Sequence, residues 1–217
     1  MHITVEPSIL YLGTPVVLLT TQNIDGTPNI APMSSAWWLG WNCMLGLGAK
    51  GHTAANLLRE KECVINLPSI HQVDAVNRLA RTTGSSPVPP YKLAMGYRHE
   101  KLKFDVAHLT PTASELISPP RIAECPIQLE AILETSHPFG HRPDKEPGCI
   151  AFEVRIVRAH VDTSLLLEGR ENRIDPNKWR PILMSFCQFY GLTDQLRSSA
   201  LAKIPETAYR PAPHMGR

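Results

Sequence analysis

Apolar residues fall along this chain in two rhythms, strand-like runs and shorter stretches at helical spacing, and proline or glycine clusters separate them. From Gly13 to Thr21 the segment GTPVVLLTT is β-branched and aliphatic, which predicts a buried strand. QNIDGTPN closes it, with Asp25-Gly26 as a hairpin-turn pair. Residues 29–36, NIAPMSSA, are the expected returning strand. Pro32 cannot donate to a ladder, so that strand belongs at a sheet edge or in a bulged pairing, where a ligand can reach main-chain N–H groups. WWLGWNCMLGLGA continues as a third strand region with Trp37, Trp38 and Trp41 and glycines at 40, 46 and 48.

After Lys50-Gly51 the rhythm changes. HTAANLLREKE predicts a short helix with Thr53 as its N-cap and Leu57-Leu58 on the inner side. CVINLP (63–68) returns to strand composition, and SIHQVDAVNRLARTTG carries Ile70, Val73, Val76, Leu79 and Ala80 at helical spacing. Three prolines make 84–92, GSSPVPPYK, a loop. LAMGYRHEKLKFDV holds another short helix, and PTASELISPPRIAEC is again punctuated by proline. CPIQLEAILETSHPF reads as a strand entering the turn-rich HPFGHRPDKEPG. Residues 148–166 form the clearest strand, with Ile150, Phe152, Val154 and Ile156 alternating. EGRENRIDPNKWRPILMSFCQFYGLTDQLRSS then predicts a polar turn and a C-terminal helix, followed by an extended tail. Helices inserted between strands suit a closed or partly closed antiparallel barrel better than a doubly wound parallel sheet.

The chain has 217 residues, which suits one domain over 1–217 with a core at about 10–195. Its net charge is +2 with no run of like charges, which argues against a dedicated nucleic-acid surface or an electrostatic membrane anchor. No apolar run approaches the ~20 residues that span a bilayer, and MHITVEPSIL lacks a basic start before a long apolar stretch. A soluble, cytoplasmic protein is expected. Its five widely spaced cysteines, with no C-x-x-C pair, read as buried free thiols.

Ser34, Ser35, Lys50, Thr53 and Asn56 are the candidate chemistry. A helix N-terminus offers unpaired N–H donors and partial positive charge, so Thr53, Lys50 and the Asn56 amide would stabilise a phosphate there. The competing reading is that Thr53 caps its own helix, the serines satisfy strand-edge backbone, and Lys50 is solvated. GLGAKG matches neither a P-loop nor a dinucleotide fingerprint in its βα context. His52 stands beside the turn, as a cofactor contact or as a capping group. His137 and His141 are four apart, but Pro138 and Gly140 break any helix between them, so no zinc geometry is expected. Glu168, Arg170, Glu171 and Arg173 read as a solvated turn, and the tryptophans as core or dimer packing.

The ordered set GTPVVLLTT, DGTPNIAPMSSA, G-x-x-x-x-x-T-x-x-N-L, VINL, PPRIAECPIQLE (119–130), the strand 148–162 and IDPNKWRPILMSFCQFYGL resembles the flavin reductase-like family with the FMN-binding split-barrel fold. The resemblance covers most of residues 10–195. It implies a mainly β fold with helical insertions: a six-stranded antiparallel split barrel, assembled as a homodimer with FMN near the interface. It places Met33, Ser34, Ser35 and Ala36 along the flavin and Lys50, Thr53 and Asn56 at the phosphate; FAD is the alternative cofactor. The implied activity is hydride transfer from NADH or NADPH to flavin, and the alternative is a flavin carrier serving a partner oxygenase. Such transfer needs two aligned rings more than a side-chain acid or base, so no catalytic triad is required. Main-chain N–H groups near Ser35 and Ala36 would steady negative charge on the reduced ring. The long, proline-rich 84–110 loop and HPFGHRPDKEPG depart from the family pattern.

Overall fold

A computed structural model of the chain describes residues 1–140 and 148–209. The expected hairpin loop after Phe139, including His141, and the end of the expected tail lie outside the described residues. Five strands come first: β1 (Leu12–Pro15), β2 (Val17–Gln22), β3 (Pro28–Met33), β4 (Ala36–Leu39) and β5 (Asn42–Gly48). Helix α1 (His52–Glu60), β6 (Glu62–Leu67) and α2 (Val73–Leu79) follow. An excursion of small elements comes next: β7 (Thr82–Thr83), α3 (Pro90–Ala94), β8 (Arg98–His99), α4 (Lys103–Ala107), β9 (Pro111–Thr112) and β10 (Arg121–Ile122). Two 13-residue strands, β11 (Ile127–Phe139) and β12 (Cys149–Val161), form the longest hairpin, and β13 (Leu183–Ser185) and β14 (Gln188–Tyr190) end the series.

The principal sheet has seven antiparallel strands in the order β3-β2-β6-β11-β12-β5-β4. Its two outermost strands, β3 and β4, are consecutive in the chain and joined only by Ser34 and Ser35. Laid flat, six strand spacings would separate them by about 29 Å. The link from Met33 to Ala36 reaches only about 11 Å. The sheet must therefore curl into a barrel whose split lies between β3 and β4.

The barrel interior collects Val17, Leu19, Leu45, Cys63, Ile65, Phe152 and Val154 from the strands with Ala54 and Leu57 of α1. A second core lies on the outer face, where Val16, Leu18 and Ile30 pack against Val76 and Leu79 of α2 and Phe104 and Ala107 of α4. Side chains alternate along a strand, so a strand covered on both faces must be apolar at every position. That accounts for the unbroken VVLL run. Pro32 puts β3 at the sheet edge as expected, but its pairing with β2 runs without a register shift; the bulges fall between β11 and β12 instead.

Two sequence expectations are corrected. WWLGWNCMLGLGA is a hairpin rather than one strand, because Gly40, at φ +60°, turns the chain between β4 and β5; the strand count rises from six to seven. The expected C-terminal helix is the β13–β14 hairpin. Phe186 and Cys187 both have positive φ, the requirement of a tight two-residue strand turn, and β13 pairs with β1. All five cysteines are free; Cys43, Cys63 and Cys125 are buried, whereas Cys149 and Cys187 are exposed. No helix among the described residues is long and apolar enough to cross a membrane.

Polar side chains of the sheet hold the proline-punctuated segment 110–126. Asn66 accepts from the Ile122 N–H at 2.9 Å, and Thr20 donates to the Pro120 carbonyl at 2.6 Å. Glu130, fully buried, accepts from the N–H groups of Glu115 and Leu116, each at 2.8 Å, and lies 2.7 Å from His160 Nε2. Burial opposes its charge, but the two N–H groups and His160 hold its carboxyl below the ordinary range. Glu130→Ala strands those donors and is expected to cost about 3 kcal/mol in urea unfolding at neutral pH. The depressed folded value means this stabilisation is present above the unfolded carboxylate pKa and is lost as pH falls through the folded one. The wild-type advantage should therefore shrink in acid.

Candidate functional site

Helix α1 begins immediately after β5, at a turn closed by the Gly51 N–H to the Gly48 carbonyl at 2.8 Å. Gly51 is its N-cap, with no side-chain cap and no acid in the first turn, so the start of the helix keeps unpaired N–H donors. Thr53 does not serve as the cap expected from the sequence. It is buried one position inside the helix, where its hydroxyl accepts from Asn29 Nδ2 at 3.1 Å. The cap role falls to glycine because the chain must first pass Gly48 closely: a Cβ at position 51 would lie 2.9 Å from the Gly48 carbonyl.

Asn29 and Thr53 belong to a polar network linking α1 to the β2–β3 hairpin. Asn29 Nδ2 also donates to Thr21 Oγ1 at 3.2 Å. Asn56, almost fully buried, donates to Thr21 Oγ1 at 3.2 Å and Asn23 Oδ1 at 3.0 Å, and its Oδ1 accepts from Arg59 at 3.1 Å. Both Asn56 amide hydrogens are thus spent inside the fold. His52 Nε2 lies 2.7 Å from Asn23 Oδ1. Asn23 Nδ2 donates to Thr27, which leaves its oxygen as acceptor and assigns the Nε2–H tautomer to His52. Burial, followed by the influence of Lys103, Arg59, His99 and Lys92, pushes the His52 pKa down and favours the neutral ring.

Lys103, the first residue of α4, is only 3% exposed. Its Nζ donates to Asn29 Oδ1 and to the Ile30 carbonyl, both at 2.8 Å, so it also covers a carbonyl of edge strand β3. Desolvation is the main reason its pKa falls to about 8, with Lys92 adding to it and Glu100 opposing it.

The candidates separate into two places. Met33 packs on the barrel core, Ala36 is buried, Ser34 is half-buried and Ser35 is exposed, so all four sit at the seam between β3 and β4. The Ser35 carbonyl accepts from the Gly46 N–H at 2.8 Å, and a Cβ at Gly46 would meet Ser35 Cβ at 3.0 Å, which ties the seam to β5. Lys50 is exposed at the α1 turn, while Thr53 and Asn56 are buried on the network. Helix α1 contacts both β3 and β5, and β5 leads from the Ser35–Gly46 tie into the α1 turn. Among the tryptophans, Trp38 packs on the core and Trp37 and Trp41 are exposed. His137 is exposed on β11, and among the described residues no group of His, Cys, Asp or Glu is arranged to hold a metal. Glu168 to Arg173 lie in an exposed turn closed by the Leu167 N–H to the Arg173 carbonyl.

Sequence reading passed over Asn23, Asn29, Lys92 and Lys103. Asn23 and Asn29 looked like turn residues of a hairpin. The available signal for Lys103 was its place beside Phe104 on the inner face of a short helix.

Residues 10–176 match the family model described as the flavin reductase like domain. The chain belongs to the flavin reductase-like family. Within curated proteins, this flavin reductase-like chain is 43% identical over 188 residues to YdfE of Bacillus subtilis (strain 168), covering 87% of this chain and 88% of that one. Among solved structures it resembles nitrilotriacetate monooxygenase component B from Bacillus cereus, with TM-score 0.70 and 26% identity over 88% of this chain and 89% of that one. It also shares the fold of flavoredoxin of Desulfovibrio vulgaris (Miyazaki F), with TM-score 0.74 and 22% identity over 93% and 99% of the two chains. The split barrel inferred above from the two-residue link is thus the architecture of this family.

An uncapped helix start with a buried cation nearby favours an anion. The lysine supplies a test. A basic group whose folded pKa lies below its unfolded value near 10.5 binds fewer protons when folded, so stability rises with pH between about 8 and 10.5. The stability of the wild type relative to Lys103→Met should therefore climb from pH 7 to pH 10, approaching a gain of about 3 kcal/mol, as read from urea unfolding at each pH.

Proposed function

We propose that the chain is an FMN-binding oxidoreductase of the flavin reductase type that takes hydride from NADH or NADPH. The observation that carries the reading is the α1 start, where uncapped N–H donors lie beside exposed Lys50 at the end of β5, the strand tied to Ser35 through Gly46. A bound flavin would supply a ring that accepts a hydride pair and passes on electrons. Lys50 and the helix N–H groups would bind its phosphate; Thr53, already an acceptor from Asn29, has its own hydroxyl proton to donate. Asn56 would act from behind, fixing Thr21 and Asn23 so that α1 keeps its place. Along the seam, Met33 and Ala36 would flank the ring, and main-chain N–H groups near Ser35 and Ala36 would steady negative charge on it. FAD is the alternative ligand at the same turn.

The working unit in this proposal is a cytoplasmic homodimer. Trp37 and Leu39, on outermost strand β4, are 57% and 75% exposed and give a second copy an apolar face. Leu39→Arg should shift the chain to the monomer mass in sedimentation equilibrium. A second reading is a flavin carrier for a partner oxygenase, favoured by the likeness to a structure named as component B of a monooxygenase.

Anaerobic mixing of the FMN-loaded chain with NADH and with NADPH should bleach the yellow flavin absorbance. Tight FMN binding without bleaching by either donor would support the carrier instead, and absence of flavin fluorescence quenching on titration would sink both readings. Lys50→Ala combined with Thr53→Ala should weaken FMN binding by roughly tenfold to a hundredfold, the range of one charge-assisted hydrogen bond.

A further inference from the structure

Residues 1–11 carry a strand pattern that their own chain leaves unpaired. Met1, Ile3 and Val5 alternate with His2, Thr4 and Glu6, the period of two that gives an extended segment one apolar and one polar face. Yet residues 1–11 form no helix or strand, and every residue from 1 to 13 is exposed, Ile3 by 77% and Val5 by 64%. Pro7 has no N–H to give a ladder, so the patterned piece does not simply prolong β1. It is a separate extended arm. Such a segment gains free energy by laying its apolar face on another surface, and its own fold does not bury it.

A matching surface lies beside the root of the arm. β1 contacts β4, and the Tyr11 carbonyl accepts from the Phe186 N–H at 2.8 Å, which fixes where the arm leaves the body. On β4, Ala36 and Trp38 turn to the barrel core, so Trp37 and Leu39 stand on the outer face. Two-fold pairing of these faces sets the β1 of each copy beside the partner's β4. From there an extended arm of this length reaches about 36 Å. Ile3, Val5, Leu10 and Leu12 with Trp37 and Leu39, at about 150 Å² or more per large apolar residue, leave roughly 600 Å² of surface open on each copy. A standard interface takes ~800 Å² from each partner, and the β4 face alone supplies only about a third of that. Charge decides between occupants: residues 1–49 contain no Lys or Arg, so the arm, β1 and β4 lack the cations that an anionic lipid surface or a nucleic-acid backbone calls for.

We infer that residues 1–11 of each copy cross to a second copy of this chain and lie with Ile3 and Val5 against Trp37 and Leu39 of the partner's β4. This rests on the homodimer reading above and deepens it, since it names the segment that the copies exchange. The exchange is reciprocal: two arms and two faces satisfy one another, and no open apolar end remains to recruit a third copy. Because β4 starts directly after the Ser34-Ser35 link, the crossing arm lies beside the seam. The alternation in residues 1–6 then has its purpose in the assembly, with the apolar side on the partner and His2, Thr4 and Glu6 toward water.

The test reads mass and contact separately. Sedimentation equilibrium of the full chain should give a dimer for the wild type, and Ile3→Glu combined with Val5→Glu should raise the dimer dissociation constant at least tenfold. Both side chains are exposed within one copy, so the fold of the subunit does not depend on them. Contact is read with the photocrosslinker p-benzoylphenylalanine in place of Val5, in a mixture of heavy-isotope-labelled and unlabelled chains. Irradiation should join the arm to the peptide that holds Trp37 and Leu39, with one labelled and one unlabelled half. A dimer whose constant the double substitution leaves unchanged, or whose cross-links join halves of one isotope only, overturns the arm exchange and leaves the homodimer reading standing. A wild type that sediments as a monomer overturns both. A monomer that binds phosphatidylcholine–phosphatidylglycerol vesicles, and loses them with the double substitution, overturns the second copy in favour of a lipid surface.

Discussion

Two residues set the architecture. Ser34 and Ser35 connect the first and last strands of a seven-stranded sheet, and no flat or gently twisted sheet permits so short a bridge. Closure brings β3 and β4 to a common seam, encloses the cluster around Phe152 and Leu57, and carries β5 toward the entry of α1. The β4–β5 hairpin ties Ser35 to the strand that enters α1, and curling brings β3 to that same seam. The functional proposal depends on that geometry more than on any single side chain.

Once the barrel is closed, α1 must meet it through whatever the interior offers. Ala54 and Leu57 supply the apolar contact, and the rest of the inward surface is polar: Thr53 and Asn56 meet Thr21, Asn23 and Asn29. A buried polar network of this kind is worthwhile only when its members satisfy one another, and a partly satisfied one is costly. Here the asparagines are matched, and the exception is a charge. Lys103 is held by neutral oxygens at the sheet edge, in an environment that lowers its pKa. A protein that retains such a lysine gives up stability, the cost of burying a charge against neutral acceptors.

Family membership and geometry bear on different links of the argument. The match over residues 10–176 says which family the chain belongs to, and the solved relatives agree on the curled sheet. The residues around α1 supply an independent physical reason to look for an anionic ligand, since uncapped helix donors and an uncompensated buried cation favour one whatever the family.

Much of this was legible in the chain. The VVLL run announced a strand buried on both faces, Pro32 announced an edge, and the spacing of HTAANLLREKE announced α1, because these features depend on local periodicity and backbone chemistry. Ser34, Ser35, Lys50, Thr53 and Asn56 were visible as a polar group around a strand and a helix start. Their directions were not visible: Thr53 and Asn56 turn inward, since the residues that receive them lie 24 to 35 positions away along the chain. The β13–β14 hairpin was read as a helix because its turn needs positive φ at Phe186 and Cys187, a requirement imposed by pairing with β1. Lys103 was indistinguishable from a solvated lysine until α4 packed on β3, 73 positions from Ile30. The sequence by itself determined the family resemblance, the doubly buried strand, the edge at Pro32 and helix α1. Tertiary structure alone decided which polar groups are spent and which charge is left over, because burial and partnership are properties of packed neighbours and no single segment carries them.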